Sequence, residues 1–251
     1  MNDLVNHPGA HDHFVQLYDN TDRLADAVAR YAQAGLARGE AVVLIATREH
    51  RHAFLRKLDG ADVAYGEERL TVLDAERTLE RFMANGMPQW KRFHEVIGGL
   101  IAELRLRHPT VCAYGEMVDV LWQRGEREAA IRLEEYWNEL GRLQTFSLFC
   151  AYRLSPLDPA SYGGPLESVC RTHTHLIPHH DVQGFNQAVR AASAKTLDQP
   201  LAELLLSLAA RHSQGTQMPF GQAALLWLKQ NMPRTADKVL SEVRSTISPA
   251  N

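Results

Sequence analysis

The densest run of side chains able to do chemistry is YGEMVDVLWQRGEREAAIRLEEYWNEL, residues 114–140. It carries two tryptophans and many carboxylates, with no evident nucleophile. Glu116, just past Tyr114 and Gly115, could serve as a general acid or base with Asp74, or as a polar contact to a bound ligand. The competing structural role is that of an acidic residue at a helix start, complementing the helix dipole. A second group lies in CRTHTHLIPHH (170–180), where Cys170, His173, His175, His179 and His180 are all ligand types for a soft or borderline metal. Pro178 interrupts that segment, and neither a second cysteine pair nor a regular His-x-x-x-His spacing accompanies it. A solvated, partly packed histidine cluster is expected rather than a metal centre, with Cys170, His173 and His175 the residues to watch.

These groups need a scaffold. HFVQLY (13–18), AVVLIA (41–46), RLTVLDA (69–75), VCAY (111–114) and FSLFCAY (146–152) read as strands. The continuously apolar AVVLIA suits a central parallel strand covered on both faces. Helical spacing follows the first strand through Leu24, Ala27, Val28, Tyr31 and Ala32, with Asn20 or Thr21 as cap and the Gly35–Gly39 region as the end. Further helices are expected over 48–58, 76–84 and 89–107, with a turn at Met87-Pro88, and over 126–142. In the last of these, Ala130, Leu133, Trp137 and Leu140 form one stripe with Glu134 on its edge. Of Glu134, Glu135 and Glu139, at least two should face solvent. Strands alternating with helices predict an α/β domain with a mostly parallel sheet flanked by helices. Beyond residue 181 the pattern is helical only, broken near Pro200, Pro219 and Pro233, which predicts a C-terminal helical appendage over 181–251.

In an open parallel sheet, ligands occupy the crevice beyond the carboxyl ends of the strands. That rule gathers Tyr18, Asp19, Asp74, Tyr114 and Glu116 at one candidate site, with Trp122 as an apolar wall and Gly115 permitting a tight exit from its strand. Thr47-Arg48-Glu49-His50 occupies the equivalent place after the second strand. The acidic and aromatic mixture favours a small polar or amphipathic organic ligand over a polyphosphate. Several enzyme signatures are missing. No Gly-x-Ser-x-Gly elbow is present and Ser147 lies inside an apolar strand. No Gly-x-Gly-x-x-Gly follows the first strand, and where a phosphate loop would stand the chain reads YDNTDRL, without its lysine. No cofactor is implied.

The segments HDHFVQLYDNTDRL, GLARGEAVVLIATREHRHAFLRKL, LTVLDAERTLERFMANGMP, YGEMVDVLWQRGEREAAIRLEEYWNEL and FSLFCAY follow one another in an order that resembles the MEDS domain, the methanogen/methylotroph DcmR sensory domain. The resemblance covers residues 11–180. It implies a core similar to RecA/KaiC-type ATPases with the phosphate loop lost, and a bacterial or archaeal sensory role toward small organic molecules such as hydrocarbon derivatives. It supplies no catalytic residue.

Composition sets the remaining bounds. The 251 residues carry a formal charge of −3 and are 45% hydrophobic, which gives no general attraction to nucleic acid or acidic membrane. The tail holds seven Lys/Arg against four Asp/Glu over 182–251, but Leu225, Leu226, Trp227 and Leu228 favour packing or dimerisation over DNA contact. Three widely separated cysteines, no basic-then-apolar leader and no membrane-length apolar run favour a reducing cytoplasm. The expectation is a non-catalytic sensor for signal transduction or transcription regulation. It binds a small organic ligand and acts through a regulatory protein partner. The alternatives are a signalling adaptor with a vestigial nucleotide crevice and a divergent ATPase-like enzyme.

Overall fold

In this computed structural model the described residues are 2–59, 67–162, 166–177, 182–216 and 218–247. They form two compact units. One comprises residues 1–153 with 172–177, and the other residues 154–171 with 178–251.

The first unit opens with the short helix α1 (Asn2–Asn6) and strand β1 (His13–Tyr18). Helix α2 (Thr21–Ala37) follows at once, with Asn20 at its N-cap accepting a hydrogen bond from the Arg23 amide at 3.0 Å. AVVLIA becomes β2 (Ala41–Ala46), buried at every position, and leads into α3 (Arg48–Asp59). β3 (Leu70–Asp74) is only half-buried because it lies at the sheet edge, and Asp74 caps α4 (Ala75–Glu80) through the Arg77 amide at 3.0 Å.

The next stretch departs from expectation. Helix α4 stops at Glu80, and β4 (Met83–Ala84) pairs antiparallel with β5 (Met87–Pro88). Asn85 and Gly86 turn between them with φ of 53° and 76°, so an Asn-Gly hairpin replaces the end of the expected helix and the Met87-Pro88 turn. The helix expected over 89–107 is broken into α5 (Trp90–Phe93), one π-helical turn (His94–Gly98) and α6 (Gly99–Arg105). The Gln144 side chain donates to the Gly98 carbonyl at 3.0 Å beside that wider turn.

β6 (Val111–Gly115), α7 (Met117–Gln123), α8 (Arg127–Leu143) and β7 (Ser147–Arg153) complete most of the domain. After α9 (Leu166–Thr172), an unexpected strand β8 (His175–Ile177) pairs with β1 through Phe14, Val15 and Gln16. All six strands run parallel in the order β3-β2-β6-β7-β1-β8, flanked by helices. Ligation of β8 to the sheet explains why residues 172–177 belong to the first unit, while 154–171 group with the tail. The expected break at 180/181 does not coincide with that division.

Alternation along the strands sorts the core into two faces. Phe14, Tyr18, Leu44, Tyr114 and Phe149 share a cluster with buried residues of α2 and α3. His13 and Val15 point the other way, and Val15 is in register with Cys150. In the second unit α10 (Val182–Thr196), α11 (Gln199–Thr216), α12 (Phe220–Asn231) and α13 (Pro233–Ile247) pack together, and Leu225, Leu226 and Leu228 are buried there. Pro200, Pro219 and Pro233 each stand at a helix start, where the missing N–H costs nothing.

Candidate functional site

The carboxyl ends of β1, β2, β6 and β7 meet around a crevice of about 490 Å³. Its floor is a hydrogen-bonded polar network. The Glu116 carboxylate, 2% exposed, accepts from the backbone N–H of Thr47, contacts His50 Nδ1 at 2.6 Å and accepts from the Tyr114 hydroxyl at 3.0 Å. Glu116 stands at the N-cap of α7, yet its side chain makes no bond to that helix. It serves the start of α3 instead. Beside it, Asp119 accepts from the Tyr18 hydroxyl at 3.0 Å, Gln123 Nε2 at 2.9 Å and the Arg153 amide at 3.0 Å. The Tyr18 and His50 rings meet edge to face at 5.8 Å.

Burial disfavours a charged His50, but the Glu116 hydrogen bond and negative charge outweigh it and hold the imidazole above its usual pKa. Burial pushes Asp119 up, against the pull of its three donors. Tyr18 is raised well above the phenol range by burial and then by the Asp119 charge. Arg48, Glu49, Glu76, Arg124 and Arg153 also line the crevice, and Arg124 pairs with Glu76 at 2.6 Å. The lining therefore carries both signs.

Not all the expected residues converge on this space. Tyr18 and Glu116 line it, and Tyr114 supports Glu116 from within the core. Asp74 caps α4 and holds Arg51 at 2.6 Å, while Asp19 is exposed in the turn after β1. Trp122 packs edge to face with Tyr152, ring centroids 5.3 Å apart, and the Arg127 guanidinium lies over the Trp122 ring. The tight exit expected at Gly115 does not draw on a left-handed glycine conformation. The residue lacks a positive φ, and a Cβ there would meet Trp137 at an ordinary 3.5 Å.

A second polar group lies on the other face of the sheet. Glu134, which the helical stripe placed at an edge, is 0% exposed. Its carboxylate lies 3.2 Å from His13 Nε2 and 3.4 Å from His173 Nε2, and it accepts from the Tyr152 hydroxyl at 2.7 Å. Cys150 Sγ is 3.3 Å from His13 Nε2 and 3.8 Å from Glu134. Of the histidine-rich segment, only His173 joins this cluster among the described residues. Half-exposed His175 faces Asp12 at 3.6 Å, Cys170 is buried on α9 in a different compact unit, and His179 and His180 lie outside the described residues.

Residues 12–174 match the family described as MEDS, MEthanogen/methylotroph, DcmR Sensory domain. The chain belongs to the MEDS family. No curated protein and no solved structure gave a match. The MEDS match spans both polar groups, from just before His13 to just past His173. Sequence position found Glu116 and Tyr18 in this MEDS domain because each follows or ends a strand. It also singled out Thr47-Arg48-Glu49-His50 after β2, without linking His50 to Glu116, and it missed Asp119, which sits within α7.

Proposed function

We propose that this MEDS domain is a non-catalytic sensor whose crevice binds a small polar or amphipathic organic molecule and whose response is passed to a regulatory protein partner in the cytoplasm. The supporting observation is the Glu116 carboxylate on the Thr47 amide. The first turn of α3 would otherwise present N–H groups to an anion, and here the protein's own carboxylate fills that place. A phosphate at the same spot would meet a negative charge. A neutral or doubly signed small molecule would meet Tyr18, His50, Asp119 and Arg153 with both donors and acceptors. The crevice volume falls within the range of small-molecule sites. Nothing in this arrangement requires bond-making chemistry, since Glu116 and Asp119 are each already engaged by several donors.

Thermal unfolding of the full chain against a panel of small alcohols, amines, thiols and amino acids tests the reading. A ligand at 100 times its Kd contributes about 2.7 kcal/mol to the bound state. Such a compound should raise the unfolding temperature of the wild type and lose that effect in Tyr18→Phe and Asp119→Asn. A compound that stabilises all three proteins equally binds elsewhere and counts against the crevice. Stabilisation by a regulatory protein alone, with no compound effective, would favour the adaptor reading instead.

A further inference from the structure

We propose that His13, Glu134, Cys150 and His173 form a buried tetrahedral site for a borderline-soft divalent cation of the Zn²⁺ class. The four residues come from β1, α8, β7 and the segment before β8, and each is buried. One ligand atom from each lies within 4.8 Å of every other. Zinc bonds of about 2.0–2.3 Å place tetrahedral neighbours roughly 3.3–3.8 Å apart. Glu134 Oε2 lies 3.2 Å from His13 Nε2 and 3.8 Å from Cys150 Sγ, and those two are 3.3 Å apart, which follows that spacing, while His173 Nε2 meets the other oxygen, Oε1, at 3.4 Å.

The surrounding bonds orient His13 for coordination and place His173 beside it. Asn138 donates through Nδ2 to the Thr172 carbonyl at 2.8 Å, so its Oδ1 faces His13 Nδ1 as an acceptor at 2.9 Å. The His13 proton is thereby held on Nδ1, leaving the Nε2 lone pair toward Glu134 and Cys150. His173 Nδ1 lies 3.2 Å from the Thr172 hydroxyl, which can accept its proton, and its Nε2 faces Glu134 Oε1. Fixing the remote nitrogen of a ligating histidine is the usual outer shell of a metal site. Tyr152 donates to Glu134 Oε1 and leaves Oε2 facing His13 and Cys150.

Charge supports the same assignment. A fully buried carboxylate demands compensation, and the charge partners of Glu134 are imidazoles rather than Lys or Arg. A divalent ion would balance Glu134 and a Cys150 thiolate together, with two neutral histidines. Thiolate and imidazole ligands select zinc or a similar metal over calcium and magnesium, which take oxygen ligands. A cleft of about 440 Å³, lined by His11, Asp12, Asn138, Thr174 and apolar groups such as Trp137 and Phe146, borders His13.

The test uses the full chain, purified without a histidine tag, stripped with chelator and titrated with Zn²⁺ or Co²⁺. One equivalent should be retained on elemental analysis, and Co²⁺ should give a thiolate charge-transfer band with tetrahedral visible bands. Cys150→Ser should abolish the charge-transfer band. Asn138→Ala removes an orienting acceptor but no ligand, and should weaken affinity about 10–100-fold. His175→Ala, at a half-exposed position outside the cluster, should leave both unchanged. A stripped chain that remains folded by circular dichroism yet takes up neither metal would overturn the site, as would uptake indifferent to both Cys150→Ser and Asn138→Ala. Neither readout involves Tyr18 or the crevice, so the two proposals stand or fall separately.

Discussion

The Glu116 carboxylate reaches from the start of α7 to His50 Nδ1 on α3, at 2.6 Å, and takes the Thr47 amide with its other oxygen. One side chain thus ties the exits of β2 and β6 together. These strands are neighbours in the sheet, and Ile45 is in register with Gly115 just before both ends. The bond fixes the crevice floor where two helices begin.

That bond makes stability depend on pH. The folded His50 pKa is raised above its unfolded value of about 6.5, so its contribution is complete below that value and is lost as pH rises through the folded pKa. Glu116→Gln should therefore cost more at pH 5.5 than at pH 8.5, with a loss of about 1.5–3 kcal/mol at the acidic end. Urea unfolding across that range measures it. A cost that does not change with pH would remove the charged pair from the account.

Two glycines of the same domain should respond oppositely to alanine. At Gly115 the new Cβ meets Trp137 at 3.5 Å, an ordinary contact, so Gly115→Ala should be neutral or stabilise by up to about 1 kcal/mol. At Gly35 the Cβ would stand 2.8 Å from the buried Cys112 Sγ, and Gly35→Ala should cost about 1–3 kcal/mol. Denaturant midpoints of the two variants compare them directly. Equal losses would mean that Gly115 has a backbone role that its φ does not reveal.

The polar crevice was more legible in the sequence than the buried cluster, and geometry explains the contrast. Glu116 and Tyr18 stand at strand ends, where a rule about parallel sheets acts on sequence position alone. Glu134 sits between Leu133 and Glu135 on α8, and a helical wheel places it only at the margin of the Ala130–Trp137 stripe. Its burial depends on His13 and Cys150 projecting from the sheet beneath, and on His173 returning beside β1. Strand β8 is three residues long and has no periodicity to read, so neither that return nor the choice of His173 over His175 could be seen. The Asn85-Gly86 hairpin was a missed local signal, because an Asn-Gly pair is a strong turn marker even between very short strands.

The Tyr18 hydroxyl should matter more to the crevice than to folding. Tyr18→Phe removes one of three donors to Asp119 and leaves Gln123 and the Arg153 amide in place. A loss of about 1 kcal/mol is expected, within the usual range for one hydrogen bond. Asp119→Asn should cost more, because its amide would turn a donor toward donors already present. Chemical denaturation ranks them, and a Tyr18→Phe loss exceeding that of Asp119→Asn would contradict this order.

Magnesium and ATP should leave the protein unchanged. Helix α2 starts at Thr21, with only Asp19 and Asn20 between it and β1, so no loop is long enough to wrap a polyphosphate. Its N-terminal amides are also partly committed, since Asn20 Oδ1 accepts from the Arg23 N–H, and Asp22 adds negative charge in the first turn. The α3 start is occupied by Glu116 in the same way. The starts of α2 and α3 are each met by a side chain of this chain. Calorimetric titration with ATP, with and without magnesium, should show no saturable binding in the micromolar range. Tight, metal-dependent binding that Glu116→Gln abolishes would mean that Glu116 positions a magnesium ion, and the domain would then have to be read as a divergent ATPase rather than a sensor.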